Sequence, residues 1–325
     1  MTSLPTRSRR PLSAVLLAAA LTLTACGGDS GGDVAAGGAV EGVDLSGVSI
    51  SVGSKEFTEQ LVLGQIAVQA LRAAGANVED KTNITGTSVV RAALVSGEID
   101  VYYEYTGTGW ITILGNTEPV PGADPQFKAV KAADSANNIT WLARAEANNT
   151  FALAANGEAA EELGVASISD YARVVKEDPA AATLCSSAEF INRDDGLPGV
   201  ERTYGFDLPA DRVIQLEPAL VYTQVGQRDP CSFAVVFATD GQVLNNELVV
   251  LEDDKMFFPP YNIAPTMRTE VYTPNAAAYD ELFSTIATEL TDERLTALNA
   301  EVDVDGRAPA DVAADFLTEL GILAD

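Results

Sequence analysis

VSISVGSKEFTEQLVLGQIAVQALRAAG, Val48–Gly75, decides the fold. Val48 to Ser54 alternates and is β-branched, which predicts a strand; Thr58 is then placed to cap a helix with Glu59 in its first turn. That helix runs to about Ala74 and is apolar on most faces, so burial is expected. Working outward, NVEDKTNI reads as a strand, SVVRAALVSG as a helix and IDVYYEY as a strand. Alternation of this kind points to an α/β protein whose sheet has parallel strands.

A second group begins near Phe151. FALAAN reads as a strand, ISDYARVVKED as a helix opening after Ser167 or Ser169, and CSFAVVFATD as a buried strand leading to ELVVLEDD. Past Pro259 and Pro260 the chain makes one more strand, YNIAPTMR, and is then helical to its end. Thr291 caps one of these helices, with Asp292 and Glu293 matched to the macrodipole, and Pro309 opens the last. There Val312, Phe316 and Leu320 recur at helical spacing and should face the core. No internal repeat is visible. The pattern fits two lobes, one from residues 45–150 plus 262–325 and the other from 151–261, crossing near Asn149 and Tyr261. A ligand cleft between the lobes, outside the carboxyl ends of the strands, is the expected site.

The N-terminus sets the compartment. Arg7, Arg9 and Arg10 precede an apolar run from Leu12 to Ala25 that is too short for a spanning helix and ends at LTAC, Leu23 to Cys26. Residues 1–25 read as an export signal, and LTAC resembles the lipobox in which Cys26 takes a diacylglycerol. A plain secreted chain with an incidental cysteine is the alternative. Residues 26–44 are small and polar and read as a flexible tether. The expected location is therefore extracytoplasmic, anchored to the outer face of the cell membrane.

The full chain carries a net charge of −27, and loss of residues 1–25 with their three arginines takes it to −30. Nucleic acid is an unsuitable partner for such a surface. The acidity either concentrates cations or, more plainly, keeps the surface solvated. Histidine is absent, which excludes Ser-His-Asp and Cys-His catalysis and imidazole zinc sites. A carboxylate enzyme, for instance one using the adjacent Asp194 and Asp195, remains formally open, but adjacent side chains usually point apart. Cys185 and Cys231 are the two cysteines beyond the anchor. Outside the cytoplasm they are expected to pair; two buried free thiols are the alternative.

Aromatic residues gather where strands end. VYYEYTGTGW holds Tyr102, Tyr103, Tyr105 and Trp110; FFPPY holds Phe257, Phe258 and Tyr261; Phe151 and Phe237 bound strands of the second group. Alternation puts Tyr103 and Tyr105 on one face of their strand and Tyr102 on the other.

Six stretches in order, GSKEFTEQ (53–60), GEIDVYYEYTGT (97–108), FINRDDGLPG (190–199), TDG (239–241), LEDDKMFFPPYNIAP (251–265) and LNAEVDVDGRAPADVAADFL (298–317), make a specific pattern. Together they resemble the glycine betaine, carnitine and choline-binding proteins of osmoprotectant ABC transporters. The resemblance covers nearly the whole folded part. It implies the two-lobed periplasmic-binding-protein fold of type II, no enzymatic activity, no cofactor and no metal. It also implies a monomer that delivers its solute to a membrane permease driven by a cytoplasmic ATPase.

A quaternary ammonium has no N–H to donate, so aromatic faces must hold it, each ring contributing about 0.5–2 kcal/mol. By the resemblance Tyr105 and Tyr261 are cage tyrosines, and Phe151 and Phe237 stand where the family commonly has two more. Arg193 corresponds to the arginine that holds a ligand carboxylate, Lys55 to a lysine after the first strand, Thr108 to a side chain near that carboxylate, and Asn149 to the pocket edge. A different trimethylammonium solute, such as ergothioneine, would satisfy the same cage.

Overall fold

The computed structural model describes residues 36–116, 119–192 and 196–324, so the expected signal peptide and Cys26 lie outside the described residues. The strands are β1 (Ser49–Gly53), β2 (Asn77–Lys81), β3 (Val101–Tyr105), β4 (Ile139–Trp141), β5 (Phe151–Asn156), β6 (Leu184–Ser186), β7 (Val213–Gln215), β8 (Phe233–Phe237), β9 (Leu248–Val250) and β10 (Ile263–Arg268). They form two five-stranded sheets in the orders β2-β1-β3-β10-β4 and β7-β6-β8-β5-β9.

The sheets are mixed, which corrects the expectation of parallel strands. β1 runs parallel to β2 and β3, but β10 is antiparallel to β3 and β4. In the second sheet β6 is parallel to β7 and β8, while β5 is antiparallel to β8 and β9. The chain's path explains this. β5 and β10 are the strands by which the chain enters one sheet on leaving the other, so Ile263 starts β10 beside Tyr105, where β3 ends. The two links themselves touch: Asn148 and Asn262 form an antiparallel bridge.

The helix Thr58–Ala73 packs between the first sheet and the C-terminal helices. Val62, Leu63 and Ile66 share a core with Phe283, Leu295 and Phe316. Its start differs from the expectation: Phe57 occupies the cap position with no side-chain cap, and Thr58 instead donates its hydroxyl to Asp303 at 2.5 Å. Ser167 caps Ile168–Glu177 in a capping box with Asp170, and Thr291 accepts from the Arg294 N–H at 3.2 Å. Pro309 opens the last helix, in which Val312 and Phe316 are buried, and Leu320 at its C-cap is partly buried against the same core.

Tyr103 and Tyr105 join the core beneath Thr58–Ala73, while Tyr102 packs on the opposite face with Ile99 and Trp141. Within the segment expected as a tether, residues 36–39 are held against the C-terminus. Ala36 bridges Leu323, and the Gly37 N–H donates to Ile322 at 2.8 Å. Only glycine fits there, since a β-carbon on residue 37 would lie 2.2 Å from the Gly321 carbonyl. In the second sheet Cys185 and Cys231, 46 residues apart, form a disulfide joining β6 to the chain entering β8. Among the described residues no helix is long and apolar enough to cross a membrane.

Candidate functional site

A cavity of about 470 Å³ lies where residues of the two sheets face each other. Tyr105, Phe151, Phe237, Tyr261, Lys55, Thr108 and Asn149 all line it, as do Phe57, Glu59, Asp240, Asn299 and Asp303. Arg193, Asp194 and Asp195 lie outside the described residues.

The second sheet contributes a pair of phenylalanines. Phe151 opens β5 and Phe237 closes β8, and antiparallel register sets them directly opposite one another. Their rings stack at 4.8 Å between centroids with 27° between planes, and Phe190 supports Phe151 at 5.3 Å. Phe237 is 44% exposed, an unusual state for so large an apolar ring at the end of a buried strand.

Opposite them stand residues of the first sheet. Tyr105 ends β3, with Phe57 stacked on it at 6.2 Å. Two residues on, Gly107 allows the Tyr261 ring to lie against the backbone, and Thr108 begins a π-helical turn, Thr108–Ile113. Such turns recur at functional sites. Tyr261 is itself fixed by its N–H, which donates to Asn148 Oδ1 at 2.6 Å.

Lys55 is buried and lines the cavity, yet its ammonium is already engaged. Its Nζ pairs with Glu104 Oε1 at 2.6 Å and sits 5.0 Å from the centre of the Tyr105 ring. Glu104 also accepts from the Tyr102 hydroxyl at 2.9 Å and the Tyr105 N–H at 2.8 Å.

The remaining charge on the wall is negative. Glu59, Asp240 and Asp303 all face the cavity, and among its described lining residues Lys55 is the one cation. Burial pushes the Glu59 carboxyl above its usual range, opposed by hydrogen bonds from Thr239, Tyr105, Asn299 and Asn149. Burial likewise raises Asp240, opposed by the Gln242 N–H and the Tyr222 hydroxyl and reinforced by the charge of Asp303. Rings on opposite walls with surplus carboxylates between them suit a cation that has no proton to share. No group of described His, Cys, Asp and Glu residues is arranged to hold a metal ion.

Residues 48–319 match the family model described as the substrate binding domain of ABC-type glycine betaine transport system. The chain belongs to this family. A glycine-betaine-binding protein of Pseudomonas aeruginosa is 38% identical over 282 residues, 85% of this chain and 89% of that protein. The apo structure of YehZ from Escherichia coli superposes with a TM-score of 0.76 at 34% identity, covering 84% of this chain and 99% of that one. An ergothioneine transport permease/ergothioneine binding protein of Helicobacter pylori is 30% identical over 275 residues, 83% of this chain and 47% of that protein. These relatives establish the two-lobed α/β fold of periplasmic binding proteins and a role in substrate binding for transport, outside the cytoplasm and without catalysis.

Several lining residues escape a reading by motif. Phe57, Asp240, Asn299 and Asp303 sit inside stretches that carry the family resemblance, GSKEFTEQ, TDG and LNAEVDVDGRAP, and membership in those stretches is the only signal the sequence offers for them.

Proposed function

We propose that this protein captures a small quaternary ammonium solute of the glycine betaine, carnitine or choline type and delivers it to an ABC permease energised by a cytoplasmic ATPase. The observation that carries this reading is the pairing of the stacked Phe151 and Phe237 with Tyr105 and Tyr261 around one cavity that also presents three carboxylates. In this reading the trimethylammonium head packs against the rings, with Glu59, Asp240 and Asp303 supplying long-range attraction. Arg193 holds the carboxylate of a betaine, Thr108 assists it, and Asn149 borders the pocket. One lobe comprises residues 45–150 plus 262–325 and the other 151–261, and the solute favours closure because it touches both. The chain acts as a monomer, lipid-anchored through Cys26 after removal of residues 1–25.

A second reading, a different trimethylammonium solute such as ergothioneine, draws support from the Helicobacter pylori relative. Thermal melts and calorimetry of the purified protein with glycine betaine, choline, carnitine, ergothioneine and proline separate the two. A quaternary compound should raise the melting temperature, and the rise should grow with the logarithm of its concentration once that exceeds Kd. If only solutes lacking a quaternary nitrogen shifted the melt, the assignment would fail.

A further inference from the structure

Glu59 is the point at which four separate segments meet. It stands in the first turn of Thr58–Ala73 and is 3% exposed. Its Oε1 accepts from the Tyr105 hydroxyl at 2.7 Å and from Asn149 Nδ2 at 3.0 Å. Its Oε2 accepts from the Thr239 hydroxyl at 2.6 Å and from Asn299 Nδ2 at 3.0 Å. The donors come from the end of β3, the link before β5, the loop after β8 and the helix Asp292–Asp303. Asn299 also donates to the Thr239 carbonyl at 2.7 Å, so one loop residue of the second sheet is gripped by both its hydroxyl and its backbone. Beside it, a β-carbon on Gly241 would lie 2.5 Å from the Ala300 nitrogen, which shows how closely this loop meets the helix.

No Lys or Arg among the described residues forms an ion pair with Glu59. Burying a carboxylate without a counter-ion is costly, and an apolar side chain in its place would leave four donors without an acceptor. The helix N-terminus and four donors offset that cost. A charge retained in such a place is best explained by what it aligns.

We propose that Glu59 is a positioning residue: its two oxygens join the Tyr105 ring to the Thr239 loop, so that seating a solute on the ring and docking the second sheet are one coupled event. The coupling is mechanical and needs no contact between Glu59 and the solute. Its consequence for binding rests on the proposed function above, but the joint itself does not.

The test is a double-mutant cycle between Tyr105→Phe and Thr239→Val, which remove hydroxyls on opposite oxygens of Glu59 and leave the ring and the side-chain volume in place. Unfolding free energy without solute is measured first, in the native background and with Glu59→Gln. The two changes should be non-additive in the first and additive in the second. Calorimetry with glycine betaine and choline follows: each single change should weaken binding about fivefold, and the double change about fivefold rather than twenty-five-fold.

Additive effects on unfolding in the native background would overturn the joint. Non-additive unfolding with unchanged Kd in every variant would reduce Glu59 to a structural role and overturn the coupling to binding. If Glu59→Gln did not fold, the native-background cycle would still decide the joint. If the native protein bound neither solute, the solute assignment would fall, and the unfolding cycle alone would support or overturn the joint at Glu59.

Discussion

The ring of Tyr261 lies flat against Gly107: a β-carbon on residue 107 would sit 2.8 Å from three of its atoms. The glycine of EYTGT is therefore a seat for the aromatic residue of PPY, 154 positions away in the chain. Gly107→Ala should displace that ring. Overpacking of this kind typically costs about 1–3 kcal/mol. Calorimetry should show binding weakened by about tenfold or more, whereas loss of Tyr261 from the cavity wall by Tyr261→Ala in the same background should add little. Native affinity in Gly107→Ala would show that the ring's position is immaterial.

Phe237 should matter to binding more than to folding, because its exposed face looks into the cavity. Removing one ring from a cation site costs about 0.5–2 kcal/mol, or roughly two- to thirty-fold in affinity. Phe237→Ala should lose that much for choline and glycine betaine alike, with a small change in melting temperature. An unaltered Kd would take Phe237 out of the site.

Lys55 and Glu104 are 5% and 0% exposed, so neither can be removed alone without leaving its partner buried. Breaking such a pair from one side costs about 3–5 kcal/mol, much of it from the stranded charge. Lys55→Met should show a loss of that order in urea unfolding, and Glu104→Gln added to it should recover a large part. Equal stability of the single and double variants would contradict the pairing.

Asp240 gives a pH signature with a defined sign. Its folded-state pKa is raised above 3.8, chiefly by burial, and the groups facing it are Asp303, the Tyr222 hydroxyl and the Gln242 N–H. The folded chain thus holds this proton more tightly than the unfolded chain, and stability falls as pH rises from about 3.8 through the raised value. A cation favours the ionised form, so affinity for choline should rise over the same interval. Asp240→Asn should lose both slopes in paired melts and titrations across mildly acidic pH. Parallel profiles for native and variant protein would show that Asp240 does not titrate there.

Much of this is legible along the chain, and the reasons are physical. Strand and helix positions follow from period-two and period-3.6 patterns, and Tyr105, Phe151, Phe237 and Tyr261 stand out as bulky rings where strands stop. Strand direction is not legible, because β5 and β10 take their sense from the route between sheets rather than from any local pattern. Thr58 looks like a cap by residue type, but Asp303, 245 positions on, claims its hydroxyl. Glu59 reads as an ordinary first-turn acid, and with 47 Asp and Glu in the chain no single carboxylate stands out. Its four donors are scattered from Tyr105 to Asn299, so only folding reveals the convergence. Nothing near Lys55 in the sequence announces its partner either, since Glu104 lies 49 residues away.

The bridge between Asn148 and Asn262 has a bearing on motion. The outgoing and returning chains are laced together there, with Thr150 Oγ1 also donating to the Pro259 carbonyl at 3.1 Å, and so form one ribbon instead of two independent threads. A ribbon bends easily across its flat face and resists shear within its plane. In the closure proposed above, such a ribbon would favour one direction of swing and so return the same aromatic surfaces to the same alignment.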